Sequence, residues 1–109
     1  MGANAGNWTI ETCSTVGTGN LILTGSNVGF TRFVDAIPSG AVWYSIDDGA
    51  NREAGIGTFN GVNAIVRTTI HATLVNGTYD NITPSPIDLS GKAIVSCTFN
   101  NAAYAELLA

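Results

Sequence analysis

Charge is the scarcest property of this sequence. Only 11% of its 109 residues are charged, against about a quarter in an ordinary globular domain. Arg32, Arg52, Arg67 and Lys92 are the whole positive side, set against eight acids for a net charge of −4. So few cations cannot neutralise a run of phosphates, so no nucleic-acid partner is expected. An anionic membrane surface is set aside for the same reason. Cysteine is nearly missing too. Cys13 and Cys97 are too few for a disulfide scaffold and lack the Cys-x-x-Cys or Cys/His spacing of a zinc site. Buried thiols are the expectation, because cysteine packs as a small hydrophobe. A Cys13–Cys97 bridge stays open as the alternative, since first and last strands often pair. No apolar run approaches the ~20 residues of a membrane helix. Residues 1–7 carry neither a basic region nor an apolar stretch, so no signal peptide is expected.

What is present is 45% hydrophobic residues and thirteen glycines, with Thr, Asn and Ser where Lys and Glu would usually stand. That composition suits strands and tight turns better than helices. The length fits one domain, residues 1–109, with an N-terminal arm over 1–7 and a C-terminal tail over 100–109. An uncharged polar surface also suits a protein that docks over much of its area, because burying charge is costly.

Alternation marks the strands. Thr9, Glu11 and Cys13 share one face of a first strand, with Trp8, Ile10 and Thr12 on the other. Leu21–Thr24 is a short apolar run that reads as a buried strand. Phe30–Ile37 alternates ambiguously as a strand before the Pro38-Ser39-Gly40 turn. Val42, Tyr44 and Ile46 share a face and lead into Asp47-Asp48-Gly49, a hairpin turn by composition. A second arm runs from Arg52 to Phe59. Ala64–Thr73 is rich in Ile, Val and Thr, hence strand. Leu74–Gly91 holds Pro84 and Pro86 and is the longest irregular stretch, a length that points to function or to a neighbour. Lys92–Phe99 alternates cleanly. Asn100 followed by helix formers predicts a short C-terminal helical tail. The whole predicts an all-β domain, a compact antiparallel β-sandwich or small barrel.

Catalytic and metal chemistry find little purchase. His71, the single histidine, lies in a strand-like segment with no nucleophile elbow near it in sequence. A glycosidase pair among the eight acids would need a cleft that a small β domain rarely provides. Asp47, Asp48, Asn51 and Glu53 form the best oxygen-ligand cluster, but Thr58 stands where a calcium loop places its bidentate glutamate. Gly55-Ile56-Gly57 lacks the third glycine and following helix of a phosphate loop and reads as a close backbone approach. Asn7, Asn76 and Asn81 each begin a glycosylation-like triplet, read as chance in so Asn- and Thr-rich a chain. Trp43 and Tyr44 point to opposite faces, so at most one of them is expected fully inside a single core and the other is a candidate to touch a partner or a sugar, with core the expectation for each taken singly. No catalytic residue, metal or cofactor is expected.

The order of motifs resembles a family of small tailed-bacteriophage and prophage virion structural proteins, tail-fibre or particle-associated β modules. The resemblance runs through Glu11-Thr12, Thr18–Gly25, Gly29–Phe33, Val42–Gly49, Glu53–Thr58, Arg67–Ile70 and Leu89–Val95. It spans roughly residues 11–99. Arg52 stands where the family usually shows an aromatic, and Pro84-Ser85-Pro86 replaces a Ser/Asn/Gly loop. The resemblance implies a non-enzymatic virion protein assembled in the bacterial cytoplasm, most simply a capsid decoration protein that stabilises the head. A tail or tail-fibre component is the alternative, and a carbohydrate- or receptor-binding β module a third reading from another class. Partners would be major capsid or tail proteins, with a homo-oligomer, a trimer first. Candidate contact residues are Trp43, Tyr79, Pro84, Pro86, Tyr104, Leu107 and Leu108.

Overall fold

The computed structural model describes residues 8–26 and 28–97. Its elements are β1 (Ile10–Cys13), β2 (Val16–Gly17), β3 (Leu21–Gly25), α1 (Phe33–Ala36), β4 (Gly40–Asp48), β5 (Asn51–Phe59), β6 (Ala64–Val75), β7 (Thr78–Asp80), β8 (Leu89–Ser90) and β9 (Ala93–Ser96). Strands β3-β1-β9-β4-β5-β6 are hydrogen-bonded in that order, and β3 pairs back onto β6 through Leu21↔Ile65 and Ile22↔Ala64. The sheet therefore closes into an antiparallel six-stranded barrel with one small helix. Of the two expected architectures the barrel is the one formed. Strand β7 hangs on β6 outside the ring, and β2 and β8 make a separate ribbon.

The β4–β5 hairpin is the longest regular piece. Gly40 to Asp48 pairs with Phe59 to Asn51 without interruption. Gly49 and Ala50 make the turn, and Gly49 takes a φ of +68° that suits a residue without Cβ. Val42, Tyr44 and Ile46 are fully buried on the inner face, where each such side chain contributes about 1.5–3 kcal/mol of apolar transfer energy. On β5 the inner face reads Glu53, Gly55, Gly57, Phe59. Strand β6 crosses so close that a methyl group at Gly57 would meet Ile65 Cγ2 and lie 2.6 Å from the Val66 carbonyl oxygen. At Gly55 it would strike the Thr69 carbonyl. The paired glycines are there because two backbones need the space. The pairing slips between Ala54 and Gly55 and again between Ile56 and Thr58. These irregularities break the alternation of β6, so that Arg67 turns inward while Thr68 bonds Thr58 Oγ1 at 2.7 Å.

Each barrel end is covered by a connection. Near one end lies α1. Glu11 Oε2 accepts the Phe33 N–H at 2.8 Å, holding the first turn of the helix. Phe33, with no exposed surface, packs its ring 6.0 Å from that of Phe59. Pro38 discourages further helix beyond Ile37. At the other end residues 81–88 fold over the opening and bury Ile87, 4% exposed, with Leu89 of β8 beside it at 2%.

Several expectations are corrected. Phe30–Ile37 is not a strand: it contains α1, whose four residues are too few to show a helical period. The described helix is thus mid-chain, where a C-terminal one was expected, and the expected helical tail over 100–109 lies outside the described residues. Leu21–Thr24 is only half buried, since Ile22 is 40% exposed. Leu74–Gly91 is less irregular than it reads. Asn76 and Gly77, at φ +51° and +81°, form a tight hairpin between β6 and β7, the Asn-Gly signature of such turns.

Candidate functional site

The barrel holds a buried polar centre. Glu53, 1% exposed, accepts the Tyr44 hydroxyl on Oε2 at 2.6 Å and the Ile87 N–H on Oε1 at 2.9 Å. Arg67 Nη1 reaches Glu53 Oε1 at 3.4 Å and donates to the Ile87 carbonyl at 2.9 Å. The side chains of Arg67 and Glu53 are 3% and 0% exposed. Burial, followed by the negative charge of Glu53 and the hydrogen bond to it, pushes the Tyr44 phenol far above its ordinary range, with Arg67 opposing. A buried charge pair depends on its hydrogen bonds; those of Glu53 are made, while Arg67 Nε and Nη2 are buried with no hydrogen-bond partner among the described residues. Here the bonds tie β4, β5 and β6 to the segment that covers the barrel end. The centre is a clasp, enclosed by the chain it fastens.

Other acids are also committed. Glu11, 5% exposed, accepts Gly25 N–H at 3.1 Å as well as Phe33 N–H. Asp47 pairs with Arg52 at 3.2 Å. Asp48 accepts both the N–H and the hydroxyl of Ser90, and Asn51 Oδ1 accepts the Asn76 N–H. Asp47, Asp48, Asn51 and Glu53 therefore each serve different partners. Among the described residues no three His, Cys, Asp or Glu side chains group to hold a metal ion. Cys13 and Cys97 are buried as thiols. His71 stacks on Trp43 with ring centroids 5.8 Å apart.

The candidate contact residues separate. Trp43 stands on the face opposite Tyr44 yet is only 4% exposed, so both members of the pair are buried. Tyr79 is 57% exposed. It borders a shallow outer groove of about 260 Å³ floored by Ser45, Ala54 and Ala72, small side chains set in cross-strand register. Pro84 is half-buried and Pro86 exposed, both in the segment over the barrel end. Tyr104, Leu107 and Leu108 lie outside the described residues.

Sequence reading missed the clasp. Its signal was there: Glu53 falls on the same strand face as Phe59, and Glu11 on that of Cys13, so each acid stands at an inward position. Other exposed apolar side chains went unremarked as well. Val16, Val62 and Ile82 are 76%, 64% and 88% exposed. No family model, curated protein or solved structure matches the chain.

Proposed function

We propose that this barrel is a non-enzymatic structural accessory protein of a tailed-bacteriophage virion, acting as a capsid decoration protein that docks on the head. The motif resemblance over residues 11–99 supports the class. One structural observation supports docking as the mode of action: the described acids that face inward, Glu11 and Glu53, are engaged in holding the fold. Binding then falls to the outside, where Tyr79, Ile82, Val62 and Val16 are exposed on a chain with only 11% charged residues. Apolar and uncharged polar side chains cost little to desolvate against a neighbour.

The test is co-sedimentation of the purified chain with expanded phage heads, alongside light scattering of the chain alone. A trimer that pellets with heads supports decoration. Failure to bind heads, together with retention on tail or fibre proteins, moves the role to the tail. Retention on neither removes the docking reading. The exposed Tyr79 beside its groove favours a second reading, a glycan-binding module, which a glycan array would detect.

A further inference from the structure

Arg67 carries a second edge that the clasp does not use. Both described bonds of its side chain come from Nη1, to Glu53 Oε1 and to the Ile87 carbonyl. Nε and Nη2 are buried and have no hydrogen-bond partner among the described residues. These two nitrogens form a fork of the guanidinium whose N–H groups run nearly parallel, so that they share one acceptor or take one each. The side chain is 3% exposed, so bulk water does not reach the fork. Arg67 also stands where the β5–β6 ladder slips, between the Thr58↔Val66 and Ile56↔Thr69 pairs, and such a slip disrupts the backbone packing around it. Buried polar groups without any partner are rare, and a charged donor is the costliest to leave so. An acceptor inside the barrel is therefore called for.

We propose that this acceptor is internal water, held on the Nε/Nη2 fork and sealed in with Arg67. Globular proteins hold about one buried water per 27 residues, each making about three hydrogen bonds to groups that the chain leaves unpaired. The fork donates to the water. The Ile87 carbonyl and the Tyr44 hydroxyl, both in the same cluster, retain oxygen lone pairs to which the water can donate in turn. A small anion fits less well. Glu53 already matches the charge of Arg67, and a second anion would leave the buried cluster with an unmatched negative charge. A partner's side chain fits no better, since Arg67 lines none of the clefts beside Tyr79, Ile87 and Phe30. The site completes the clasp from within, and it does not depend on what the outside of the barrel binds.

The test is NMR on the whole, isotopically labelled chain, read at the Arg67 Nε–H. The expected result is a cross-relaxation peak between that proton and water, with the sign of water that tumbles with the protein. Tyr44→Phe controls for magnetisation relayed through the neighbouring hydroxyl, and the peak should survive in it. Relaxation dispersion of the water oxygen counts long-lived waters independently. That count should fall in Arg67→Met, which keeps the length of the side chain and removes its donors. No peak in wild type, loss of the peak in Tyr44→Phe, or a scalar coupling from Arg67 Nε to a protein carbonyl overturns the proposal. So does a chloride-dependent shift of the Nε–H, which would put an anion there. An unchanged water count in a folded Arg67→Met chain overturns it as well. If that variant does not fold, the wild-type peak and its survival in Tyr44→Phe decide.

Discussion

The barrel has two ends, and each is closed by the same device with different chemistry. Near one end Glu11 takes the main-chain N–H of Phe33 and seats a phenylalanine. At the other Glu53 takes the main-chain N–H of Ile87 and seats an isoleucine. In both, an inward-facing glutamate on a strand catches a connection that passes over the barrel. The difference lies in what surrounds the carboxyl group. Among the described residues Glu11 receives main-chain N–H groups alone, from Gly25 and Phe33. Glu53 adds a guanidinium and a phenol. The helix end needs only a fixed turn, which the carboxyl group supplies by accepting the Phe33 N–H. The other connection contributes just the short β8 to strand pairing, so a larger side-chain network has to secure it. Depth of burial alone does not set the chemistry of a buried acid. The structure of the segment it restrains matters as much.

This contrast can be broken from either end. Arg67→Ala should have the largest effect, about 3–5 kcal/mol of lost stability in urea unfolding, because it leaves Glu53 buried beside no cation. If the loss is under 1 kcal/mol, the Glu53 end is no stronger than its counterpart. Glu11→Ala should cost less, about 2–3 kcal/mol, by stranding the Gly25 and Phe33 N–H groups. It should also raise amide hydrogen exchange around α1 while leaving Ile87 protected, and exchange that rises equally at both ends would erase the distinction. Tyr44→Phe should cost about 1–2 kcal/mol near neutral pH through one lost hydrogen bond to a charged group. It sharpens the contrast further through pH. The folded chain holds the Tyr44 phenol neutral above its ordinary range, so its share of stability is complete below about pH 10 and falls as pH rises beyond that. Wild type should therefore lose stability on the alkaline side more steeply than Tyr44→Phe, as chemical unfolding at stepped pH would read. The smallest effect belongs to Asp80, which is solvent-exposed. Its carboxyl is held below its ordinary range by the Ile82 and Thr83 N–H groups, so its contribution is complete above about pH 4 and lost as pH falls further. Asp80→Asn should flatten only that acid limb.

How far the sequence foretold this can be judged residue by residue. The β4–β5 hairpin was legible, since Val42, Tyr44 and Ile46 alternate cleanly up to an Asp-Asp-Gly turn. Strand β9 was legible for the same reason. Strand β6 showed its composition but not its facing, because the slips opposite Gly55 and Gly57 reset the period. That is why Arg67 gave no sign of pointing inward. Helix α1 is set by Glu11 and Phe59, which lie far from it in sequence, and a local pattern cannot carry such information. The closure of β3 onto β6 is likewise a long-range pairing. Of the candidate contacts, Tyr79 proved exposed and Trp43 buried, although both sit in strands. Alternation tells which face a side chain takes but not what covers that face.

The glycine pair on β5 also constrains how this chain can change. Gly57 leaves room for Ile65 and lies 3.4 Å, from where its Cβ would be, to Tyr44 Cδ2, and Tyr44 in turn holds Glu53. Steric and electrostatic requirements thus share one tyrosine. A larger residue at 57 would strike the Val66 carbonyl as well as Ile65, which no smaller side chain at 44 or 65 relieves, and a smaller one at 44 gives up the hydrogen bond to Glu53. Substitutions at these positions should be strongly non-additive in double-mutant cycles. Position 57 should therefore stay glycine, while lineages that vary 44, 53 or 67 should carry matched changes at the other two.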